Sequence, residues 1–166
     1  MAKCSLILFN ISKKQNFGNI LRTADALGVS EILLVGRKKF STYGNFGTDC
    51  GFNRKHFFTL DEAITYLHGQ NYKIVGVEVS NNSLPIESKP FFGNTAFLPG
   101  NEGTGLTYEQ KNKCDYLVYI KQYGHAASIN VNVATGIVLH QFAVWAGFSE
   151  NKIKNQKFVS AQVDEK

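Results

Sequence analysis

The sequence predicts an α/β domain in which a mostly parallel β-sheet is covered by helices on both faces. Short apolar runs that favour strands alternate along the chain with segments of helical periodicity. Such alternation is typical of parallel strands joined by crossover helices. The chain has 166 residues, of which 43% are apolar and 19% charged, and this balance suits one compact domain.

The predicted elements follow one another along most of the chain. Strands are expected at 4–10, 31–35, 73–79, 95–98 and 115–120, and helices at 19–28, 60–69, 107–113 and 128–147. Asp61 and Glu62 support the second helix, because the helix dipole favours acidic residues in a first turn. Residues 1–148 form the predicted domain, and the polar stretch 149–166 is expected to be a flexible tail.

The predicted last helix is apolar on nearly every face. Its apolar residues are Ile129, Val131, Val133, Ala134, Ile137, Val138, Leu139, Phe142, Val144 and Trp145. Such a helix must be buried on two sides, against its own sheet and against something else. A second subunit is the simplest partner, so we predict a homodimer. The alternative is a deep position in the core of one chain.

Composition narrows the class of protein. No apolar run approaches the roughly 18 residues that cross a bilayer, and the short apolar start does not resemble a signal peptide. The cysteines Cys4, Cys50 and Cys114 are far apart and odd in number. They predict neither a disulfide framework nor a metal site, and they favour a reducing compartment, the cytoplasm.

Basic charge is concentrated in the first part of the chain. Residues 1–60 contain nine Lys or Arg and three acidic residues, whereas residues 61–166 contain nine and ten. A polyanion such as RNA is expected to bind this part because of its positive charge, and the basic clusters fall in predicted loops. The alternative is a surface with a chance excess of lysine. The predicted RNA-binding residues are Lys13, Lys14, Arg22, Arg37, Lys38, Lys39, Arg54 and Lys55.

A first polar segment follows the first predicted strand. Asn16 can cap the next helix, and Gly18 permits a close backbone approach at its start. Arg22 lies one turn further on and is expected to face the carboxyl edge of the sheet, where ligands bind in open α/β folds. The alternative is a capped helix with a surface arginine.

A second segment, residues 97–106, has three glycines directly after a strand. The backbone groups of such a turn are expected to be open to a ligand. The order G-x-x-G-x-G matches neither the dinucleotide fingerprint nor a Walker A loop. Glu102 would repel a phosphate, so a cationic or neutral ligand fits better. The alternative is a plain turn between a strand and a helix.

The third segment, residues 119–134, runs from a strand through a loop into the apolar helix. Ser128 is a natural N-cap for that helix. Asn130 and Asn132 are expected inside the helix, although asparagine is a poor helix former. Buried amides must be hydrogen-bonded, so these two residues hold either structure or a ligand.

In this order, the three segments resemble the signature motifs of the SpoU (TrmH) family of RNA methyltransferases, within the SPOUT superfamily. The resemblance runs from about Leu6 to Trp145. It implies a C-terminal trefoil knot, S-adenosylmethionine as cofactor, and methylation of a ribose 2′-hydroxyl of RNA. It also implies a homodimer whose active site draws on both subunits. Many members have a proline where this chain has Lys121.

The resemblance also implies roles for individual residues. The catalytic set would be Arg22, Asn16, Glu102, Ser128 and Asn130. The cofactor site would contain Leu98, Gly100, Asn101, Glu102, Gly105, Ile120, Gln122, Ser128, Ile129 and Asn130. Arginine has a pKa above about 12, which makes it a poor base. Arg22 is therefore expected to stabilise negative charge on the ribose oxygen.

The substrate and the competing functions remain open at this point. Gly76-Val77-Glu78 and Gln122 are similar to eukaryotic members that act on the tRNA D-loop, which favours tRNA over rRNA. The alternatives to this enzyme are a non-catalytic RNA-binding module, a nucleotide-binding oxidoreductase, and an enzyme acting on a base nitrogen. The oxidoreductase is disfavoured because this chain lacks the dinucleotide-binding glycine fingerprint. The basic region and the dimer would recognise the RNA, with or without an accessory protein.

Overall fold

A computed structural model of the chain describes residues 1–9, 11, 13–36, 51–154 and 157–159. The strands are β1 (Cys4–Phe9), β2 (Glu31–Val35), β3 (Asn53–Phe57), β4 (Lys73–Val77), β5 (Leu84–Pro85), β6 (Thr95–Pro99), β7 (Tyr116–Tyr119), β8 (Lys152–Lys154) and β9 (Lys157–Val159). The α-helices are α1 (Lys14–Ala26), α2 (Leu60–His68), α3 (Tyr108–Asn112) and α4 (Val131–Ala146), and a 3-10 helix spans Ile86–Ser88. Among these residues no helix is long and apolar enough to cross a bilayer.

Seven strands form one sheet in the order β3-β2-β1-β6-β4-β7-β5, and each neighbouring pair is parallel. Alternate side chains of β1 pack into two hydrophobic cores, one on each face of the sheet. Leu6 and Leu8 pack with α1 and α4, whereas Ile7 packs with α2 on the opposite face. The predicted α/β fold, a parallel sheet with helices on both faces, is confirmed. Because the strands are parallel, their carboxyl ends share one edge of the sheet.

Two strands of the sheet were not predicted. The structure places Arg54 and Lys55 in β3, so the expectation that this basic pair lies in a loop was wrong. The strand is at the edge of the sheet, and its first three residues are exposed. It therefore needs no apolar run, which is the signal that sequence periodicity detects. The two residues of β5 are too few to form a pattern, and Pro85 suits only an edge strand.

The helices α1 and α4 begin at other residues than predicted. Helix α1 starts at Lys14, so Asn16 lies in its first turn and does not cap it. Helix α4 starts at Val131, and its N-cap is Asn130, whose Oδ1 accepts the Asn132 N–H at 2.9 Å. The prediction of Ser128 as the cap was therefore wrong, as was the position of Asn130 inside the helix. Serine and asparagine cap equally well, so the sequence could not choose between them.

The predicted second helix is confirmed in detail by a capping box. The Thr59 Oγ1 accepts the Glu62 N–H at 3.3 Å, and the Glu62 Oε2 accepts the Thr59 N–H at 3.2 Å. These two bonds satisfy backbone groups that the first turn leaves open. The acidic side chains of that turn face the positive end of the helix dipole.

The C-terminal stretch contains regular structure. Strands β8 and β9 pair in an antiparallel ladder between 152–154 and 157–159. This pairing differs from the frayed tail expected from the polar composition, because a short hairpin needs little apolar periodicity. The division of the chain at residue 148 stays a prediction.

Candidate active site

A cleft of about 440 Å³ lies where the segments that follow β1, β4, β6 and β7 meet. This volume is in the usual range for small-molecule sites, roughly 300 to 1,000 Å³. All three polar segments of the sequence contribute to it. The lining residues are Lys13, Asn16, Val77, Glu78, Val79, Pro99, Gly100, Asn101, Glu102, Gly103, Thr104, Gly105, Tyr119, Ile120, Gln122, Ala127, Ser128, Ile129, Asn130, Val131 and Ala134.

The start of α1 is joined to the second segment through Glu102. The Asn16 Nδ2 donates to the Glu102 Oε1 at 3.2 Å, and the Lys13 backbone N–H donates to the same oxygen at 3.3 Å. The Asn101 Nδ2 donates to the other carboxylate oxygen at 3.3 Å. Asn16 is buried, with 8% of its surface exposed, so its side chain is held in one place by this bond.

Arg22 and Leu98 are not among the residues that line the cleft. Arg22 is exposed on α1, six residues after Asn16, and positions six apart lie about 120° from each other around a helix. One face of α1 therefore presents Asn16 to the cleft while Arg22 faces elsewhere. Leu98 is fully buried in the core between the sheet and α2.

Four backbone N–H groups of the glycine loop, residues 100–106, are already hydrogen-bonded within the chain. The Asn101 Oδ1 accepts the N–H groups of Gly103 at 2.8 Å and Thr104 at 3.2 Å. The Gly105 N–H donates to the Asn101 carbonyl at 3.0 Å, and the Leu106 N–H donates to the Glu78 Oε2 at 2.8 Å. The expectation that backbone groups of this turn are open to a ligand was wrong for these four N–H groups. Asn101 closes the turn through its side chain, which is a common role of asparagine.

The loop also requires glycine at two positions. A Cβ on Gly105 would lie 2.5 Å from the Glu78 Oε2, and Gly105 has φ +65°. A Cβ on Gly100 would lie 2.8 Å from the Cα of Gly105. The two ends of the loop, at Gly100 and Gly105, are therefore in close contact, and the Glu78 carboxylate lies beside Gly105. The four bonded N–H groups of the loop are therefore not free to line a phosphate-binding concavity.

Glu78 is a site residue that the sequence reasoning did not include. It directly follows β4, and its N–H continues the ladder by donating to the Val118 carbonyl at 2.9 Å. Position was the available signal: a polar residue at the carboxyl end of a central parallel strand lies at the ligand-binding edge.

The third-motif loop, residues 120–130, forms the opposite wall. Ile120, Gln122, Ser128, Ile129 and Asn130 line the cleft. The backbone N–H of Lys121 donates to the Glu87 Oε1 at 3.2 Å. A proline has no N–H and could not form this bond. Lys121 thus ties the loop to the 3-10 helix.

The charged residues of the cleft wall are Glu78, Glu102 and Lys13. Four N–H groups of the glycine loop are already bonded, and two of the three charged lining residues are acidic. Such a wall suits a cationic or neutral ligand, in agreement with the interpretation of Glu102 from the sequence.

The predicted RNA-binding residues lie in several places. Lys13 is at the cleft, and Lys14 begins α1. On β3, Arg54 lies over the Phe52 ring at 5.5 Å and Lys55 lies over the Tyr66 ring at 5.0 Å. Residues 37–39, which comprise Arg37, Lys38 and Lys39, fall outside the described residues.

Two cysteines of the described residues are not suited to act as nucleophiles. Burial raises the pKa of the Cys4 thiol far above its usual range. Burial and the nearby Asp115 carboxylate raise the pKa of Cys114 to about 12, against a smaller lowering by a backbone hydrogen bond. Neither thiol lines the cleft. In the same described part of the chain, no group of three or more His, Cys, Asp or Glu residues could hold a metal ion.

Comparison with known proteins gives one consistent picture. Residues 3–140 match the model of the SpoU rRNA Methylase family. The tRNA (guanosine(18)-2′-O)-methyltransferase of Escherichia coli K12 is 30% identical over 134 residues, which are 79% of this chain and 58% of that protein. The 23S rRNA (guanosine-2′-O-)-methyltransferase RlmB of Acinetobacter baylyi is 29% identical over 155 residues, 82% of this chain and 57% of that protein. The chain therefore spans less than two thirds of the length of these relatives.

Solved structures agree with the fold. The AdoMet-bound rRNA methyltransferase from Sinorhizobium meliloti superposes with a TM-score of 0.76 and 26% identity, covering 89% of this chain and 57% of that one. A structure described as giving insights into 2-OH methylation of C/U34 on tRNA has a TM-score of 0.74 and 20% identity, covering 88% and 97%.

Proposed function

This chain belongs to the SpoU rRNA methylase family, and we propose that it transfers a methyl group from S-adenosylmethionine to a ribose 2′-hydroxyl of RNA. One observation carries the proposal: Asn16, the glycine loop and the third-motif loop, distant in sequence, line one cleft. Glu102 joins two of these segments by hydrogen bonds.

The cleft fits the proposed cofactor by its size and its chemistry. When bound, S-adenosylmethionine supplies a methyl group carried by a positively charged sulfur. The carboxylates of Glu78 and Glu102 favour a positive charge, and the closed donors of the glycine loop disfavour an anion. Gly100, Asn101 and Gly105 would hold one side of the cofactor, and Ile120, Gln122 and Ile129 the other.

The catalytic residues would orient the reacting groups and stabilise the charge that develops during the transfer. Glu102 fixes Asn16 through the bond at 3.2 Å, and Ser128 and Asn130 lie at the same cleft. Arg22 would stabilise the charge that develops on the ribose oxygen and would pair with a neighbouring phosphate. The hydroxyl proton would leave to that phosphate or to water, because a guanidinium is too weak a base.

We further propose that the active site is shared between two copies of the chain. Arg22 does not line the cleft of its own chain. Helix α4 buries one face, yet Val133 and Val144 on its other side are 50% and 53% exposed. Packing of that apolar side against a second copy would cover it and could bring Arg22 to the partner's cleft.

The C-terminal knot is part of the same proposal. Residues 120–146 would pass through the connection between β4 and β6. This connection contacts both parts of that segment: Glu87 accepts the Lys121 N–H, and the rings of Phe91 and Phe142 lie 5.2 Å apart. Such contacts on a loop and on a helix are what a threaded segment requires.

For the substrate we propose tRNA, with rRNA as the alternative that the test below distinguishes. Exposed Arg54 and Lys55 would contribute to the RNA surface together with Lys13. A location in the cytoplasm is part of the same proposal, and recognition of the RNA with the help of an accessory protein is the alternative to recognition by this chain alone. The relatives act on tRNA and on 23S rRNA according to their names, so the family admits both.

The experiment is methylation of separated tRNA and rRNA with labelled S-adenosylmethionine, followed by mapping of the modified nucleotide. Label on a ribose of tRNA is the expected result. Arg22→Ala should reduce turnover by at least about 100-fold, whereas Lys3→Ala, at the amino end of β1, should leave it within about twofold. Absence of label in both RNA pools at saturating cofactor would refute independent catalysis.

The shared site has its own test. Arg22→Ala chains are mixed with Asn130→Ala chains under conditions that allow subunit exchange. Random exchange between equal amounts of the two variants puts half of the chains into mixed dimers. If Arg22 acts across the dimer, one of the two sites in each mixed dimer is intact, which is about one quarter of all sites. Recovery of about a quarter of the wild-type rate is expected. Mixing without any recovery, although mixed dimers form, would place Arg22 in the cleft of its own chain.

A further inference from the structure

We propose that Glu78 selects the cationic cofactor over its neutral product, while its hydrogen bond holds the glycine loop in place. The inference rests on the proposed function, since it concerns the ligand of that cleft. Glu78 lies outside the three motifs, and only the folded chain shows that it lines the cleft.

The geometry gives Glu78 the role of a positioning residue. Its Oε2 accepts the Leu106 N–H at 2.8 Å, where the glycine loop leads toward α3. Its backbone is fixed at the same time, because its N–H donates to Val118 and its carbonyl accepts the Ser83 Oγ at 2.7 Å. Because both its backbone and its carboxylate are hydrogen-bonded, the Glu78 side chain is held in one place beside Gly105.

The charge of Glu78 gives it a second role. Glu78 is one of the residues that line the cleft, and a Cβ on Gly105 would approach both of its carboxylate oxygens, at 2.5 and 2.9 Å. The carboxylate can lie this close to the glycine loop because Gly105 has no Cβ. Glu102 lines the cleft too, but its Oε1 already accepts two N–H groups from the start of α1. Glu78 therefore adds a negative charge on the β4 side of the cleft.

A negative charge there distinguishes two otherwise similar ligands. S-adenosylmethionine carries a positive sulfur, whereas S-adenosylhomocysteine carries a neutral thioether in its place. The carboxylate attracts the first and has no comparable attraction for the second. Hydrogen bonds and apolar contacts to the rest of the two molecules are shared, so they cancel in the ratio of the two dissociation constants.

The test compares binding of both ligands by calorimetry in wild type and in Glu78→Gln. Glutamine keeps a carbonyl oxygen that can accept the Leu106 N–H, but it removes the charge. The variant is expected to weaken S-adenosylmethionine binding about tenfold and S-adenosylhomocysteine binding by less than about twofold. Sinefungin, which has an ammonium group near the position of the sulfur, should follow S-adenosylmethionine.

Two further variants separate charge from loop position. Glu78→Asp keeps the charge but shortens the side chain, so it should weaken both ligands while keeping their ratio near the wild-type value. Glu87→Gln is the matched control, because Glu87 also accepts a backbone N–H yet does not line the cleft. It should leave the ratio unchanged. Hydrogen exchange of the Leu106 amide should be unaltered in Glu78→Gln.

The outcomes separate this inference from the proposed function. Wild-type protein that binds both ligands, with Glu78→Gln weakening both by the same factor or neither, would overturn the charge role alone. A Leu106 amide that exchanges freely in wild type would overturn the positioning role. Wild-type protein that binds neither ligand would overturn the proposed function, and this inference with it.

Discussion

Replacement of Gly105 by alanine tests the description of the glycine loop most directly. Two effects combine at this position. Gly105 has φ +65°, a left-handed conformation that is roughly 1–2 kcal/mol less favourable for a residue with a Cβ. The new Cβ would also lie 2.5 Å from the Glu78 Oε2, so the carboxylate must move.

The size of the second effect is limited by the bond that is lost. Displacement of the carboxylate breaks its hydrogen bond from the Leu106 N–H, and bonds to charged groups contribute about 1.5–3 kcal/mol. The two effects together predict that Gly105→Ala lowers the free energy of unfolding by about 2.5–5 kcal/mol. The assay is urea unfolding at one fixed chain concentration, since any self-association would otherwise shift the midpoint.

A control and a double variant make this prediction specific. Gly103→Ala should change the free energy of unfolding by less than about 0.5 kcal/mol, because its Cβ would find no atom closer than 3.6 Å. In a Glu78→Ala background, Gly105→Ala should lose only the roughly 1–2 kcal/mol of backbone strain. Equal losses with and without the Glu78 side chain would refute the close approach that the structure shows.

Two other positions give independent predictions. A Cβ on Gly76 would lie 2.5 Å from Leu117, so Gly76→Ala should lower the urea unfolding free energy by about 1–3 kcal/mol, while Gly69→Ala, with ordinary contacts, should change it by less than about 1 kcal/mol. Partial burial raises the pKa of Asp115, but bonds from the Ile74 N–H, His68 and Lys73 outweigh it and hold the pKa below its usual value. Asp115→Asn should therefore destabilise at pH 7 by on the order of 1 kcal/mol, reduced by solvent screening, and this loss should disappear as the pH falls through the lowered pKa. A loss that stays constant between pH 7 and pH 2.5 would contradict the pH prediction.

The parts of the fold that the sequence predicted are those with strong periodicity. Strand β2 and the second helix were expected at nearly their observed positions, because buried strands and capped amphipathic helices leave clear patterns. Strand β3 has no such pattern, since its side chains Asn53, Arg54 and Lys55 are exposed at the edge of the sheet. Its pairing with β2 depends on backbone bonds, which any sequence can form.

The site could be predicted as a set of segments but not as a set of contacts. The three polar segments do meet, which follows from the parallel sheet and its shared carboxyl edge. The closed donors of the glycine loop depend on where one side-chain oxygen, the Asn101 Oδ1, turns. Glu78 reaches the site because β4 pairs with β6, and these two strands are far apart in sequence. Neither relation has a local signature.

The proposed shared active site would explain why the two polar residues of the first motif face in different directions. Asn16 is held at the cleft by Glu102, and Arg22 lies about 120° further round the same helix. Helix α1 cannot roll to exchange them, because Phe17, Ile20, Leu21 and Ala24 fix its buried face. A composite site removes the conflict: each α1 would support its own cleft through Asn16 and supply Arg22 to the partner's cleft. The spacing within one helix would then make each active site depend on the second subunit, so dilution to single chains should abolish turnover before it abolishes folding.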